Sequence, residues 1–306
     1  MSKEMFREIN RRFVEKYKRI DDSDEFYQYM SKPLRKSFRV NLLKTDVKTV
    51  IERLKNDFEI EPIPWCREGF FVSNDEITNT PEFSLGLIFM QEASSMIPPI
   101  VLDVKENMNV LDMAAAPGSK TTQIAAYMKN TGCIIANDVK FTRINILISN
   151  IQKFGAINVK VTMKDGRYFK RFKNRFDRVL LDAPCSNVGM IRKNYKYLKL
   201  WRQKDVESLS RLQKELILAG YRALKPGGIL VYSTCTLDPE ENEEVIDYLL
   251  SNTDAKLERI RLPLRSHEPI TEFSGKKYSD EVKKCLRIHP QDNDTEGFFV
   301  AKVVKG

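Results

Sequence analysis

The feature that most restricts this chain is a regular alternation of apolar runs and helical patterns from about residue 109 onward. Runs at Asn109–Met113, Cys133–Asp138, Val159–Met163, Arg178–Asp182 and Gly228–Thr234 each end in a polar turn. Helix-period segments are interspersed, one from about Ser119, then Arg143–Phe154, Val206–Leu224 and Glu240–Leu250. Strands and helices at this spacing predict a parallel, doubly wound α/β sheet of Rossmann-like type. The finish (Ala255–Leu264, Cys285–Ile288, Phe298–Val304) is strand-like without a long helix, which predicts an antiparallel edge strand.

Upstream the pattern differs. Met5, Ile9, Phe13, Tyr17 and Ile20 recur at helical spacing and predict an amphipathic helix over residues 1–30. A basic stretch over residues 32–44 carries five cations and no acid. Thr45 is then expected to cap a short helix whose apolar side is Val50, Ile51 and Leu54. Strand-like pieces follow at Phe58–Ile63 and Gly69–Val72. This order predicts a small α+β module in residues 1–100, ahead of a main domain in residues 101–306.

Charge and rare residues narrow the function. The 306 residues carry a net charge of +9, which favours a polyanionic partner because Lys and Arg on phosphates release counterions. No apolar run approaches the roughly 18 residues of a membrane span. The charged N-terminus does not read as a signal peptide, so a cytoplasmic protein with no membrane partner is expected. Five cysteines without a CxxC pair argue against a disulfide framework or a zinc site, and no metal is expected. With only two histidines, thiols and carboxylates become the candidates for catalysis.

Ligands of open α/β sheets bind beyond the carboxyl ends of the strands. The first such end carries Asp112-Met-Ala114-Ala115-Ala116-Pro117-Gly118-Ser119-Lys120, small residues that let backbone approach a ligand at a helix N-terminus. It is neither a P-loop nor GxGxxG. Asp138 ends the second strand, where a ribose would be held, or else caps the next helix. Asp165 follows the third, placed for an adenine edge or simply for an Asp-Gly turn. Together the three point to an adenosyl cofactor.

The fourth strand ends in Asp182-Ala-Pro-Cys185-Ser and the fifth in Ser233-Thr-Cys235-Thr. Two cysteines thus share the cofactor edge, while Cys66, Cys133 and Cys285 read as small core residues. Cys235 precedes a helix expected near Asp238, whose dipole would favour a thiolate. A thiol suits methylation at carbon 5 of cytosine. That carbon is too electron-poor to attack a methyl sulfonium until a thiolate adds at C6. Asp182 is placed to hydrogen-bond the base and stabilise charge at that step.

These motifs, with Arg39-Val-Asn41 and Gln91-Glu-Ala-Ser94 upstream, resemble the Sun/Nop (RsmB-like) RNA cytosine-C5 methyltransferases, in a compact form without a PUA domain. The resemblance covers the chain beyond about Arg39. It implies a class I methyltransferase fold behind an RRM-like module, with S-adenosylmethionine held by residues 114–120, Asp138, Asp165 and Asp182, joined by Arg143. It further implies that Cys235 is the nucleophile, that Cys185 assists product release, and that Lys120 lies near cofactor and base. RNA is the expected partner, tRNA ahead of ribosomal RNA. The connector over residues 186–204, where Arg192, Lys193, Lys196, Lys199, Arg202 and Lys204 interleave with Tyr195, Tyr197 and Trp201, is expected to contact it. Two competitors are a DNA-type cytosine methyltransferase attacking through Cys185, and a non-catalytic RNA-binding factor on the same fold.

Overall fold

The computed structural model describes residues 3–306. The N-terminal helix predicted as one piece is three: α1 (Lys3–Ile9), α2 (Arg11–Tyr17) and α3 (Asp24–Ser31). Asn10 breaks the first from the second. Its Oδ1 caps α2 at Phe13 N, and its Nδ2 donates to the carbonyls of Leu198 and Trp201 at 2.9 and 3.0 Å. Phe6 is buried where the periodicity had placed Met5, which faces outward.

The small module follows as β1 (Lys36–Val40), α4 (Val47–Leu54), β2 (Ile60–Ile63), β3 (Cys66–Val72), the short α5 (Pro81–Ser84) and β4 (Ile88–Met90). The cap of α4 is Asp46 rather than Thr45, since its Oδ1 accepts from Thr49 N at 2.9 Å. The strands pair in the order β2-β3-β1-β4, all antiparallel, as in an RRM-like sheet. One side of the module is packed by Val50 and Leu54; on the other, Trp65, Cys66 and Phe71 join the core of the main sheet. Arg39 and Asn41 complete the joint. The buried Arg39 Nε donates to Gln91 Oε1 (2.9 Å) and its Nη2 to Thr122 Oγ1 (3.0 Å), while Asn41 Nδ2 donates to the Phe154 carbonyl (2.9 Å).

After α6 (Ile97–Val101) the alternation begins: β5 (Asn109–Asp112), α7 (Ser119–Tyr127), β6 (Cys133–Asp138), α8 (Phe141–Phe154), β7 (Val159–Met163) and β8 (Phe176–Asp182). Then come α9 (Lys196–Leu200), α10 (Gln203–Ala223), β9 (Leu224–Thr234), α11 (Glu243–Asn252) and β10 (Lys256–Glu258). The chain ends with a β11–β12 hairpin (Glu272–Phe273, Lys276–Lys277), β13 (Leu286–Ile288), α12 (Pro290–Asn293) and β14 (Phe298–Val304).

The main sheet runs β10-β14-β9-β8-β5-β6-β7. Strands β5 to β9 pair in parallel, and β14 pairs antiparallel with both β9 and β10. The expected antiparallel pairing is present, with β14 one place in from the edge. Only Lys256–Glu258 of the expected Ala255–Leu264 strand pairs, because Ile260, Leu262 and Leu264 turn toward the core. Strand order reverses at β5, and the carboxyl ends of β5, β8 and β9 open onto one crevice.

The connector departs most from its reading. Arg192 is buried, with Nη1 on the Thr295 carbonyl (2.8 Å) and Nη2 on Asp294 Oδ1 (2.6 Å). Tyr195 donates to the Ser31 carbonyl, and Trp201 Nε1 to Asp238 Oδ2 while its ring meets Phe13 edge-on. These side chains seat α1–α3 against the main domain and are not free to stack on bases. Lys193, Lys196, Lys199, Arg202 and Lys204 remain exposed.

Candidate active site

The β5–α7 turn is shaped for close backbone approach. Gly118 sits at φ 106°, and a Cβ there would meet Leu147 Cδ1 at 2.9 Å. Ala116–Pro117 is a cis peptide. Ser119 opens α7 in helical conformation, so a second glycine is not required there. Asn137 ties the neighbouring strand ends together. Its Nδ2 donates to the carbonyls of Met113 (3.1 Å) and Lys164 (2.9 Å), and its Oδ1 accepts from Lys164 N (2.9 Å).

Asp138 is nearly enclosed. Its Oδ2 lies 3.3 Å from Arg143 Nη1 and receives no hydrogen bond from any described residue, which fits a carboxylate awaiting ribose hydroxyls. Arg143 also reaches the Ala116 carbonyl, so it braces the turn. Asp165 fits less directly, because its oxygens accept from Arg167 Nε (2.9 Å) and Nη2 (2.6 Å). Arg167 is also bonded to Glu215 at 2.9 Å, a partner that would keep it while Asp165 turned to a ligand.

Asp112 lies behind the turn, with Oδ2 accepting from Thr121 Oγ1 at 2.7 Å. Burial pushes its carboxyl up to about 7, aided by the charge of Asp182. The folded chain therefore keeps a proton that the unfolded chain releases above pH about 4. Between pH about 4 and about 7, each rise of one unit should favour unfolding by roughly 1.4 kcal/mol through this group, levelling off above. Asp112→Asn should remove that slope. Urea unfolding of both proteins between pH 5 and 8 checks it, and parallel stability curves would contradict it.

Lys120 and Asp182 face each other across the crevice. Lys120 Nζ donates to Asp182 Oδ2 at 2.7 Å and to Ser95 Oγ at 2.8 Å, and Ser233 Oγ donates to Asp182 Oδ1 at 2.7 Å. Glu92 Oε2 in turn accepts from Ser95 N (3.1 Å), so the Gln91-Glu-Ala-Ser94 segment supports the lysine.

The β8 and β9 extensions bring Cys185 and Cys235 together, with Sγ atoms 3.2 Å apart. Asn187, in left-handed conformation at φ 60°, places Oδ1 3.2 Å from Cys235 Sγ and donates Nδ2 to the Cys185 carbonyl. Its proximity to both thiols was not read from the sequence, although Asn beside a glycine turn is the residue type that tolerates this φ. The expected helix dipole at Cys235 is absent, because α11 starts only at Glu243 after a short 3-10 turn. Glu241 lies there instead, accepting from Ser186 N (3.1 Å) and Gln213 Nε2 (2.7 Å), and burial beside Asp238 pushes its carboxyl up to about 8. The Cys185 thiol is held well above its ordinary range by its hydrogen bond with Cys235, by burial and by Glu241. It keeps its proton.

This geometry can be set beside known proteins. Residues 99–304 match the family model for the 16S rRNA methyltransferase RsmB/F, and residues 9–93 that for the N-terminal domain of 16S rRNA methyltransferase RsmF. The chain belongs to the RsmB/F methyltransferase family. It is 60% identical, over 99% of its length and 98% of the relative's, to a tRNA (cytosine(49)-C(5))-methyltransferase of Pyrococcus abyssi. It is 44% identical to the ribosomal RNA small subunit methyltransferase F of Vibrio atlanticus, with 93% of this chain matched but only 60% of that longer protein. Among solved structures, a methyltransferase homolog protein from Pyrococcus horikoshii superposes with a TM-score of 0.87 at 39% identity, covering 96% of this chain and 94% of that one. The RsmB/F assignment makes the chain a methyltransferase. No helix of the described residues is long and apolar enough to cross a membrane.

Proposed function

We propose that the chain transfers a methyl group to carbon 5 of a cytosine in RNA, with tRNA as the substrate and Cys235 as the nucleophile. The observation that carries this reading is the pair of thiols 3.2 Å apart beside the Lys120–Asp182 pair. A non-catalytic RNA-binding protein would have no use for two thiols at a cofactor edge. A DNA-type enzyme would need only Cys185. S-adenosylmethionine, when bound, supplies an electrophilic methyl; the backbone of residues 114–119, with Lys120, Asp138, Arg143, Asp165 and Asp182, is the set that would hold it. Asp138 Oδ2 and the Gly118 turn support that assignment.

The roles of the chain's own groups follow from their chemistry. Addition of the Cys235 sulfur to C6, as a thiolate once its proton has passed to solvent, breaks the 5,6 double bond and makes C5 electron-rich. Asp182, oriented by Lys120 and Ser233, hydrogen-bonds the N3/N4 edge of the cytosine and stabilises the charge that develops there as the sulfur adds. Once C5 carries the methyl group, a base takes its proton and the C6–S bond breaks, restoring the double bond. Cys185 holds a thiol proton at the departing sulfur and donates a hydrogen bond to it. A base within a stem must leave its stack to reach this crevice.

The preference for tRNA rests on the near full-length likeness to the Pyrococcus tRNA enzyme, which makes cytosine 49 the first position to test. Incubation with S-adenosylmethionine and either tRNA or small-subunit ribosomal RNA, followed by mapping of 5-methylcytosine, decides the substrate. Modification of ribosomal RNA alone would reverse the preference. Lys120→Met, which removes the cation that orients Asp182, should lower single-turnover methyl transfer by about 10²–10⁴-fold. A rate within a few-fold of wild type would remove Lys120 from the mechanism.

A further inference from the structure

The chain's two histidines, 22 positions apart in 306 residues, meet ring against ring, far along the chain from either thiol loop. The rings are 3.8 Å apart at an interplanar angle of 12°. Two imidazolium rings that close would repel, so at least one is neutral with a lone pair to give. Beside them is Asp21, which follows α2. Its Oδ1 accepts from Ser23, while its Oδ2 accepts from Gln291 Nε2 at 2.7 Å and lies 2.7 Å from His289 Nδ1 and 3.8 Å from His267 Nε2. The three ligand atoms all lie within 4.8 Å of one another.

We propose that Asp21, His267 and His289 form a binding site for a borderline divalent transition-metal ion, with zinc the best fit, which fastens the N-terminal helices to the C-terminal segment. Two imidazole nitrogens and one carboxylate oxygen are the donors such an ion prefers over magnesium or calcium, leaving a fourth position for water. The surroundings carry the signs of such a site. His267 presents Nδ1 to Asp292 Oδ2 at 3.0 Å, the carboxylate–imidazole arrangement that orients a metal-binding ring and leaves its Nε2 for the ion. Asp292 Oδ2 also accepts from His289 N at 2.8 Å, so one carboxylate fixes both histidine positions. His289 is 1% exposed, and the ring nitrogen it turns to Asp21 is Nδ1, so a buried imidazole presents a donor atom to the site.

The backbone around the site is already in place. His267 N donates to the Arg287 carbonyl at 2.9 Å, and Asn293 Oδ1 accepts from Arg265 N at 3.0 Å. His267 Nε2 is already 3.8 Å from Asp21 Oδ2, and its exposed side chain turns out of the stack on His289 so that both ring nitrogens face one ion. Binding displaces the proton shared by His289 Nδ1 and Asp21 Oδ2. The absence of CxxC pairs, which argued against zinc in the sequence, says nothing about a site assembled from residues 21, 267 and 289.

The test uses the full chain without a histidine tag, stripped with a chelator and dialysed against Zn²⁺ or Co²⁺. One ion per chain, a raised thermal midpoint and a Co²⁺ absorption band are expected. His267→Ala changes an exposed side chain and should fold and methylate RNA as wild type does, yet bind Zn²⁺ at least about tenfold more weakly; Asp292→Asn should weaken it about 10–100-fold. A wild-type chain that takes up no stoichiometric ion overturns the proposal. So does equal affinity in wild type and His267→Ala, which would mean ions scattered on surface carboxylates. Neither readout depends on the methylation reading, so the two can fail separately.

Discussion

Alanine in place of Cys235 is expected to abolish methyl transfer, by on the order of 10⁴-fold or more, whereas alanine in place of Cys185 leaves protein covalently joined to RNA. The asymmetry follows from the arrangement of the sulfurs. Cys235 is half-buried, while Cys185 is buried near Glu241 and holds its proton. Without Cys235 no bond to C6 forms, and the base stays unreactive. Without Cys185 the addition still proceeds, but the sulfur has no donor beside it to help it depart, and the C6–S bond persists. Denaturing electrophoresis of each variant with RNA and S-adenosylmethionine separates the cases. An adduct only in Cys185→Ala supports the assignment; an adduct only in Cys235→Ala exchanges the two roles. No adduct in either variant on an RNA that wild type methylates would point to a non-covalent route.

Much of this site was legible because strand ends announce themselves chemically. Cys133–Asp138, Val159–Met163 and Phe298–Val304 are bounded in the structure as they read in the sequence, since apolar runs there stop abruptly at polar or glycine-rich turns. The carboxyl ends of β8 and β9 were read equally closely, so Asp182, Cys185 and Cys235 were placed, with Asp138, on the strand ends where the structure has them. What failed to read was decided by distant partners. The α1–α2 break keeps the apolar spacing in register, so Phe13 and Tyr17 still look like one helix with Ile9. Trp201 carries the same local signal whether it packs on a base or on Phe13, and Phe13 lies far away in the sequence. The three-residue β4 is too short to show a period. Glu241 fell inside the helix expected over Glu240–Leu250 with no role assigned, and only the folded chain buries it beside Cys185.

Gly189→Ala should damage stability and activity together, because the constraint there is one of space and not of φ. A Cβ at this position would lie 2.0 Å from the Gly297 carbonyl oxygen and 3.0 Å from that of Cys235. Both obstacles are backbone, so no side-chain rotation relieves them. Nor can the facing loop retreat freely, since Phe298 and Phe299, which follow Gly297, pair with Ile288 and Thr234 in the sheet. The segment carrying Asn187 must move instead, breaking the 2.9 Å bond from Gly189 N to the Cys235 carbonyl and shifting Asn187 Oδ1 off the thiols. Overpacking of this kind costs about 1–3 kcal/mol, and a displacement of about 1 Å at reacting groups costs about 10²-fold in rate. Gly227→Ala is the comparison. Gly227 has φ 72° but nothing within 4 Å of its Cβ position, so it should lose about 1–2 kcal/mol and keep its rate. Urea unfolding and single-turnover methyl transfer of both variants check this. If Gly189→Ala matched Gly227→Ala in rate, the crossing of residues 189 and 297 would have no part in holding the thiols.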